Sequence, residues 1–261
     1  MAYGGGTWLT QNKVLPGAYI NFTSVSKASA TLSDRGVAAI PLPLAWGPEG
    51  TVFEVTNGDL QKNSMDIFGY SYMDDAMLPL RELFLYAKTA YLYRLTGTTT
   101  KAVAQLDSAT FATAKYGGSR GNAMRLVISA NVDTPSAFDV KIYMGDALVD
   151  EQIGVATAAD LVNSNFATFN PDATLEVTAG VNFTGGGDGT ISGTAWQAAL
   201  DAFEAYSFNT LGCPTDDETT KGLFVQYTKR MRDEVGAKFQ LVGHKICLLY
   251  TSPSPRDMRR S

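Results

Sequence analysis

Ser207-Phe-Asn-Thr-Leu-Gly-Cys213, the run from Thr215 to Gly236, and Lys238-Phe-Gln-Leu-Val242 together decide the fold. The outer two are short apolar runs of strand length. Between them, Thr215 and Glu218 match a capping box, in which a hydroxyl and a carboxylate satisfy the first amides of a helix. Phe224, Tyr227 and Met231 follow at helical spacing and define an inward face. Gly236 then supplies a residue suited to ending the helix. A strand, a helix and a strand at this length read as a right-handed parallel crossover. Just upstream, Trp196, Leu200, Phe203 and Tyr206 fall near the spacing of another helix face. Residues 189–245 are therefore α/β.

The same character appears at 36–98. Val37-Ala-Ala-Ile-Pro-Leu-Pro-Leu44 is a short apolar strand, Trp46-Gly-Pro-Glu-Gly50 a turn, and Val52-Phe-Glu-Val55 is extended. A helix is expected from Leu78, with Pro79 in its first turn, followed by a buried strand at Ala90-Tyr-Leu-Tyr-Arg-Leu95. Residues 99–188 differ. Thr, Ser, Ala, Gly and Asp dominate, and alternating runs recur at 124–129, 138–143 and 174–178, the pattern of a small β-sandwich. The fold class expected is thus α/β with an inserted all-β domain: strands near 37–44, 90–95, 207–212 and 238–242 should share one parallel-type sheet with helices packed on it. Residues 1–35 form an N-terminal arm. Within it Gly17, Ala18, Tyr19, Ile20, Asn21 and Phe22 alternate as a strand would, without a hairpin neighbour, so this strand is expected to pair on another chain.

Composition bounds the function. The chain has 261 residues, 45% hydrophobic and 18% charged, with net charge −5. An acidic chain lacks the basic footprint that phosphate neutralisation requires, so nucleic acid is not an expected partner. No apolar run reaches the roughly 20 residues of a membrane span, and the start Met-Ala-Tyr-Gly-Gly-Gly is not a secretory signal. Cys213 and Cys247 are the two cysteines, which excludes a disulfide framework.

Candidate chemistry is thin. Gly185-Gly-Gly-Asp-Gly189 lacks the Lys-Ser/Thr of a phosphate loop and reads as a turn or linker; Gly117-Gly-Ser-Arg-Gly121 reads as a loop. Asp74-Asp75 and Asp216-Asp217-Glu218 stand before helices and read as caps. Lys229 to Glu234 is a mixed-sign helix face, solvated or in a subunit contact. His244 is the single histidine, so neither a Ser–His–Asp triad nor a histidine metal site can be assembled from several. No catalytic residue, cofactor or metal ligand is assigned. The readings considered beside a structural role are a carbohydrate- or ligand-binding module on the β-rich block and a hydrolase on the α/β part.

Several strings resemble one family, the contractile tail sheath proteins of bacteriophages and phage-tail-like particles. They are Gln11-Asn-Lys-Val-Leu-Pro-Gly-Ala-Tyr-Ile-Asn-Phe22, Ala30-Thr-Leu-Ser-Asp-Arg-Gly36, Trp46-Gly-Pro-Glu-Gly50, Ala114-Lys-Tyr-Gly-Gly-Ser-Arg-Gly-Asn122, Tyr206-Ser-Phe-Asn-Thr-Leu-Gly212 and Arg230-Met-Arg-Asp-Glu-Val-Gly-Ala-Lys238. Gly118 and Arg120 stand where many sheaths carry Pro and Trp. The resemblance implies a subtilisin-like α/β core without a protease's function. It implies a homo-oligomer of rings and helical stack, assembled in the host bacterial cytoplasm around a tail tube protein, with baseplate and tail terminator proteins at its ends. It also implies arms exchanged between neighbours and no cofactor. The final stretch, 246–261, resembles translated sequencing-adapter read-through. It is expected to be non-native, to lack defined packing and to stand where a further C-terminal domain and arm would follow.

Overall fold

The computed structural model describes residues 36–244. The arm at 1–35, with the strand residues 17–22, and the tail at 246–261 lie outside the described residues.

The chain begins with β1 (Val37–Leu42), β2 (Val52–Thr56), α1 (Asn57–Phe68), α2 (Leu78–Phe84) and β3 (Thr89–Arg94). Seven strands follow: β4 (Val103–Leu106), β5 (Ala109–Ala114), β6 (Met124–Ala130), β7 (Phe138–Met144), β8 (Ala147–Val155), β9 (Ala167–Phe169) and β10 (Thr178–Asn182). The last elements are α3 (Gly193–Phe203), β11 (Thr210–Cys213), α4 (Glu218–Arg230) and β12 (Gln240–Gly243).

Five strands form one sheet in the order β12-β11-β1-β3-β2. It contains the four strands that the sequence placed together, and these are mutually parallel. The sheet is mixed rather than purely parallel, because β2 pairs antiparallel with β3 at one edge. Helices cover both faces, and the strand sequences follow from that. In β3, Tyr93 belongs with Ala39, Phe203, Leu211 and Phe224 in the core under α3 and α4. Its neighbours Ala90 and Leu92 belong with Leu60, Phe68, Leu80 and Phe84 in the core under α1 and α2. A strand buried on both faces reads as a continuous apolar run, as 90–95 does.

The middle strands form two smaller antiparallel sheets, ordered β10-β6-β7-β8 and β4-β5-β9. Met124, Leu126 and Ile128 of β6 and Val140, Ile142 and Met144 of β7 are all buried and share one core with Phe111, Phe166 and Phe183. Their period of two puts every second side chain on that face.

Two local expectations are corrected and one helix is added. The helix at 218 is capped by Asp217, whose carboxylate accepts from the Thr220 amide at 2.7 Å, not by a box of Thr215 and Glu218; Thr215 instead accepts from the Asp217 amide. Of the alternation at 174–178, residues 174–177 are not strand. A turn at Asn170–Ala173 carries the chain to a ladder that begins at Thr178, leaving Val177 exposed. Helix α1 was not anticipated. Its buried stripe is Leu60, Ser64 and Phe68, and a serine at the middle position breaks the apolar period. Its signal was at the start: Thr56 and Asp59 make a true capping box.

Candidate assembly surfaces and the sheet junction

The residues assigned to strand exchange, Gly17 to Phe22, are outside the described residues, so their partners stay a proposal. Among the described residues the outermost strands of the five-stranded sheet are β12 and β2. Beside β12 lies an open groove of about 850 Å3 lined by residues that include Asn209, Arg232, Lys238 and Gln240. The mixed-sign face at 229–234 is partly used within the chain: Arg230 pairs with Glu204, and Arg232 donates to the Phe239 carbonyl.

The densest polar site is the junction between the five-stranded sheet and the smaller sheets. Arg94 ends β3 and is 1% exposed. Its Nε donates to the Leu44 carbonyl at 2.7 Å and its Nη1 to the Gly47 carbonyl at 2.8 Å and the Glu49 carboxylate at 3.2 Å. Its Nη2 donates to the Gly117 carbonyl at 2.7 Å, with Asp188 at 3.8 Å. Burial pushes the guanidinium pKa down, while Glu49 and Asp188 act to raise it. Both carboxylates are shared. Glu49 also accepts from the Gly117 amide at 3.1 Å and the Thr99 hydroxyl at 2.8 Å. Asp188 accepts from the Ser119 amide at 2.9 Å and from its hydroxyl.

Two further side chains cross the junction. Trp46, from the connection between β1 and β2, is fully buried in the core of the smaller sheets. It lies edge-on to Tyr116 at 5.4 Å and stacked with Phe166 at 6.2 Å. Arg120 reaches the other way, donating to the Gly69 carbonyl at 2.7 Å and lying 4.1 Å over the Tyr70 ring.

The two glycine-rich loops converge on this site as structural parts. Gly118 has φ +131, and a Cβ there would sit 2.3 Å from the Ala45 carbonyl oxygen. Sequence reasoning passed over Arg94, although the signal was present: a charge inside a doubly covered apolar strand has to be paired. Trp46 was read only as part of a turn.

Elsewhere the chemistry is sparse. Among the described residues no group of three or more His, Cys, Asp and Glu could hold a metal ion. Burial pushes the Cys213 thiol pKa up, which disfavours the reactive thiolate. His244 faces Asp216 at 2.6 Å on the surface. Asp74 and Asp217 are helix caps, as read from the sequence. No helix among the described residues is long and apolar enough to cross a membrane.

A helix-covered mixed sheet joined to small antiparallel sheets is an architecture similar to that of known tail sheath structures. The chain belongs to the phage tail sheath family: residues 35–95 match the tail sheath protein Gp18 domain III N-terminal region, 97–188 the phage tail sheath protein beta-sandwich domain, and 189–245 the phage tail sheath protein central domain. It is 32% identical over 257 residues to the phage-like element PBSX protein XkdK of Bacillus subtilis, covering 90% of this chain and 54% of that one. The sheath tail protein of Desulfitobacterium hafniense superposes with a TM-score of 0.74 at 36% identity, over 86% of this chain and 52% of its own. The sheath tail protein of Listeria innocua does so with a TM-score of 0.67 at 33% identity, over 79% and 47%. The chain spans about half the length of the curated relatives it matches.

Proposed function

We propose that this chain is part of the sheath subunit of a contractile phage tail or tail-like particle. Subunits polymerise as stacked rings around a tail tube protein, bounded by baseplate and tail terminator proteins. Contraction of the polymer drives the tube through the target envelope. Residues 99–188 are a β-sandwich inserted between two parts of one α/β core, 36–98 and 189–245. The observation that carries the role is the succession of three sheath domain matches, at 35–95, 97–188 and 189–245. The insertion reading is supported by the strand order, in which β1 and β3 share a sheet with β11 and β12 across the intervening strands.

Within that reading, Gly17 to Phe22 add as a strand to a neighbouring subunit. Backbone pairing provides affinity, and Ile20 and Phe22 fill pockets on one face. The test is deletion of residues 1–23 from the complete reading frame. The deleted subunit should stay monomeric with an unchanged circular dichroism spectrum. Intact sheath tubes from the deletion, seen by negative-stain microscopy, would rule the exchange out.

A further inference from the structure

Two connections join the five-stranded sheet to the smaller sheets, one after β3 and one before α3. The returning one carries Gly185, Gly186, Gly187 and Gly189, the outgoing one Gly97 within a threonine run, and blocks joined by short flexible linkers move relative to one another unless an interface prevents it. Here the linkers meet. The Gly97 amide donates to the Asp188 carbonyl at 3.1 Å, and a Cβ on Gly97 would lie 2.4 Å from the Thr190 nitrogen. Arg94 stands beside this crossing. Its partners come from three places: acceptors on the β1–β2 connection and at the Gly117 loop, and the Asp188 carboxylate of the returning linker as an ion pair at 3.8 Å.

We infer that Arg94 is a positioning residue at the centre of a clamp that holds the smaller sheets in one orientation on the five-stranded sheet, so that residues 36–244 move as one rigid body. The physical reason lies in the geometry. A hinge motion at Gly97 and Gly189 carries Gly117 away from Arg94 and leaves a buried guanidinium with unmatched donors. Burying a charge without its partners is strongly unfavourable. Trp46 and Arg120 cross in opposite directions at the same junction, so separation also exposes a buried indole and breaks the Arg120–Gly69 bond. The inference concerns this chain alone and does not depend on the sheath role.

Spin labels at two exposed positions, Tyr86→Cys and Val132→Cys, report the orientation directly, in the full chain carrying Cys247→Ser. The native chain should give one narrow distance distribution. Arg94→Met should broaden it at least twofold. Arg94→Lys should not restore it, because an ammonium cannot present the guanidinium's planar fork of five donors. If Arg94→Met fails to fold, the pair Glu49→Gln and Asp188→Asn decides the matter, since both carboxylates sit at the partly exposed rim. A broad distribution in the native chain would overturn the clamp. So would an unchanged narrow one in a folded Arg94→Met chain or, failing that, in the carboxylate pair.

Discussion

Trp46→Ala removes the one large side chain that the β1–β2 connection places in the core of the smaller sheets. The indole is fully buried, and its rings meet Tyr116 and Phe166. Truncating a buried tryptophan to alanine costs roughly 3–5 kcal/mol, combining lost transfer energy with the cavity left behind. For a chain of this size each kcal/mol lowers Tm by about 2–4 °C. The expected fall is therefore about 6–20 °C, read by circular dichroism melting. Trp46→Phe separates two effects. The indole Nε1 is buried without a hydrogen-bond partner, and a buried unpaired donor costs about 1–3 kcal/mol. Phenylalanine keeps an aromatic ring and discards that donor, so it should lose less than half of what alanine loses. A Trp46→Ala chain within about 1 kcal/mol of the parent would refute the reasoning, because the cavity term alone exceeds that.

Tyr227 gives a prediction of opposite sign. Its hydroxyl is buried without a partner, and burial, with Glu204 adding, pushes its pKa up to about 12. Tyr227→Phe should leave stability unchanged or raise it by about 1 kcal/mol, measured by urea unfolding; a clear loss would mean that the hydroxyl is satisfied. The cap of α4 distinguishes Asp217 from Thr215: Asp217→Ala should lower Tm, while Thr215→Ala should change it less. Hydrogen bonds from the Thr220 side chain and amide hold the Asp217 carboxyl below its ordinary 3.8. Its contribution is therefore full above that value and lost as pH falls through the lower folded one. The gap between parent and Asp217→Ala should close across that window in acid titrations of stability, and a gap independent of pH would contradict the cap.

What the sequence revealed was set by periodicity. The doubly covered strand at 90–95, the inward faces of α3 and α4, and the alternating runs at 124–129 and 138–143 each carry their burial pattern openly, except that Tyr206, read with the α3 face, lies past the helix end at Phe203 and is exposed. What it hid was set by exceptions. Ser64 interrupts the stripe of α1, so that helix was visible only in its cap at Thr56 and Asp59. Leu175 and Val177 alternate as a strand does, yet the ladder starts only at Thr178, where pairing with β6 begins. Cap identity at 215–218 depended on a choice between adjacent acceptors that composition does not make. Arg94 and Trp46 were passed over because their roles arise from loops distant in sequence, 23 and 120 residues from the positions they meet. The glycine loops were rightly read as loops, but their purpose, close approach around Arg94, needed three-dimensional placement.

The central claim is that this chain is part of a polymer-forming sheath subunit. Electron cryo-microscopy of the product of the complete reading frame, purified at high concentration with and without its tail tube protein, tests it most directly. The account predicts hollow tubes of stacked rings, in whose subunits the five-stranded sheet and the smaller sheets fit the density as one body, with strand density from residues 17–22 of a neighbour. A product that stays dispersed as monomers under both conditions would contradict it.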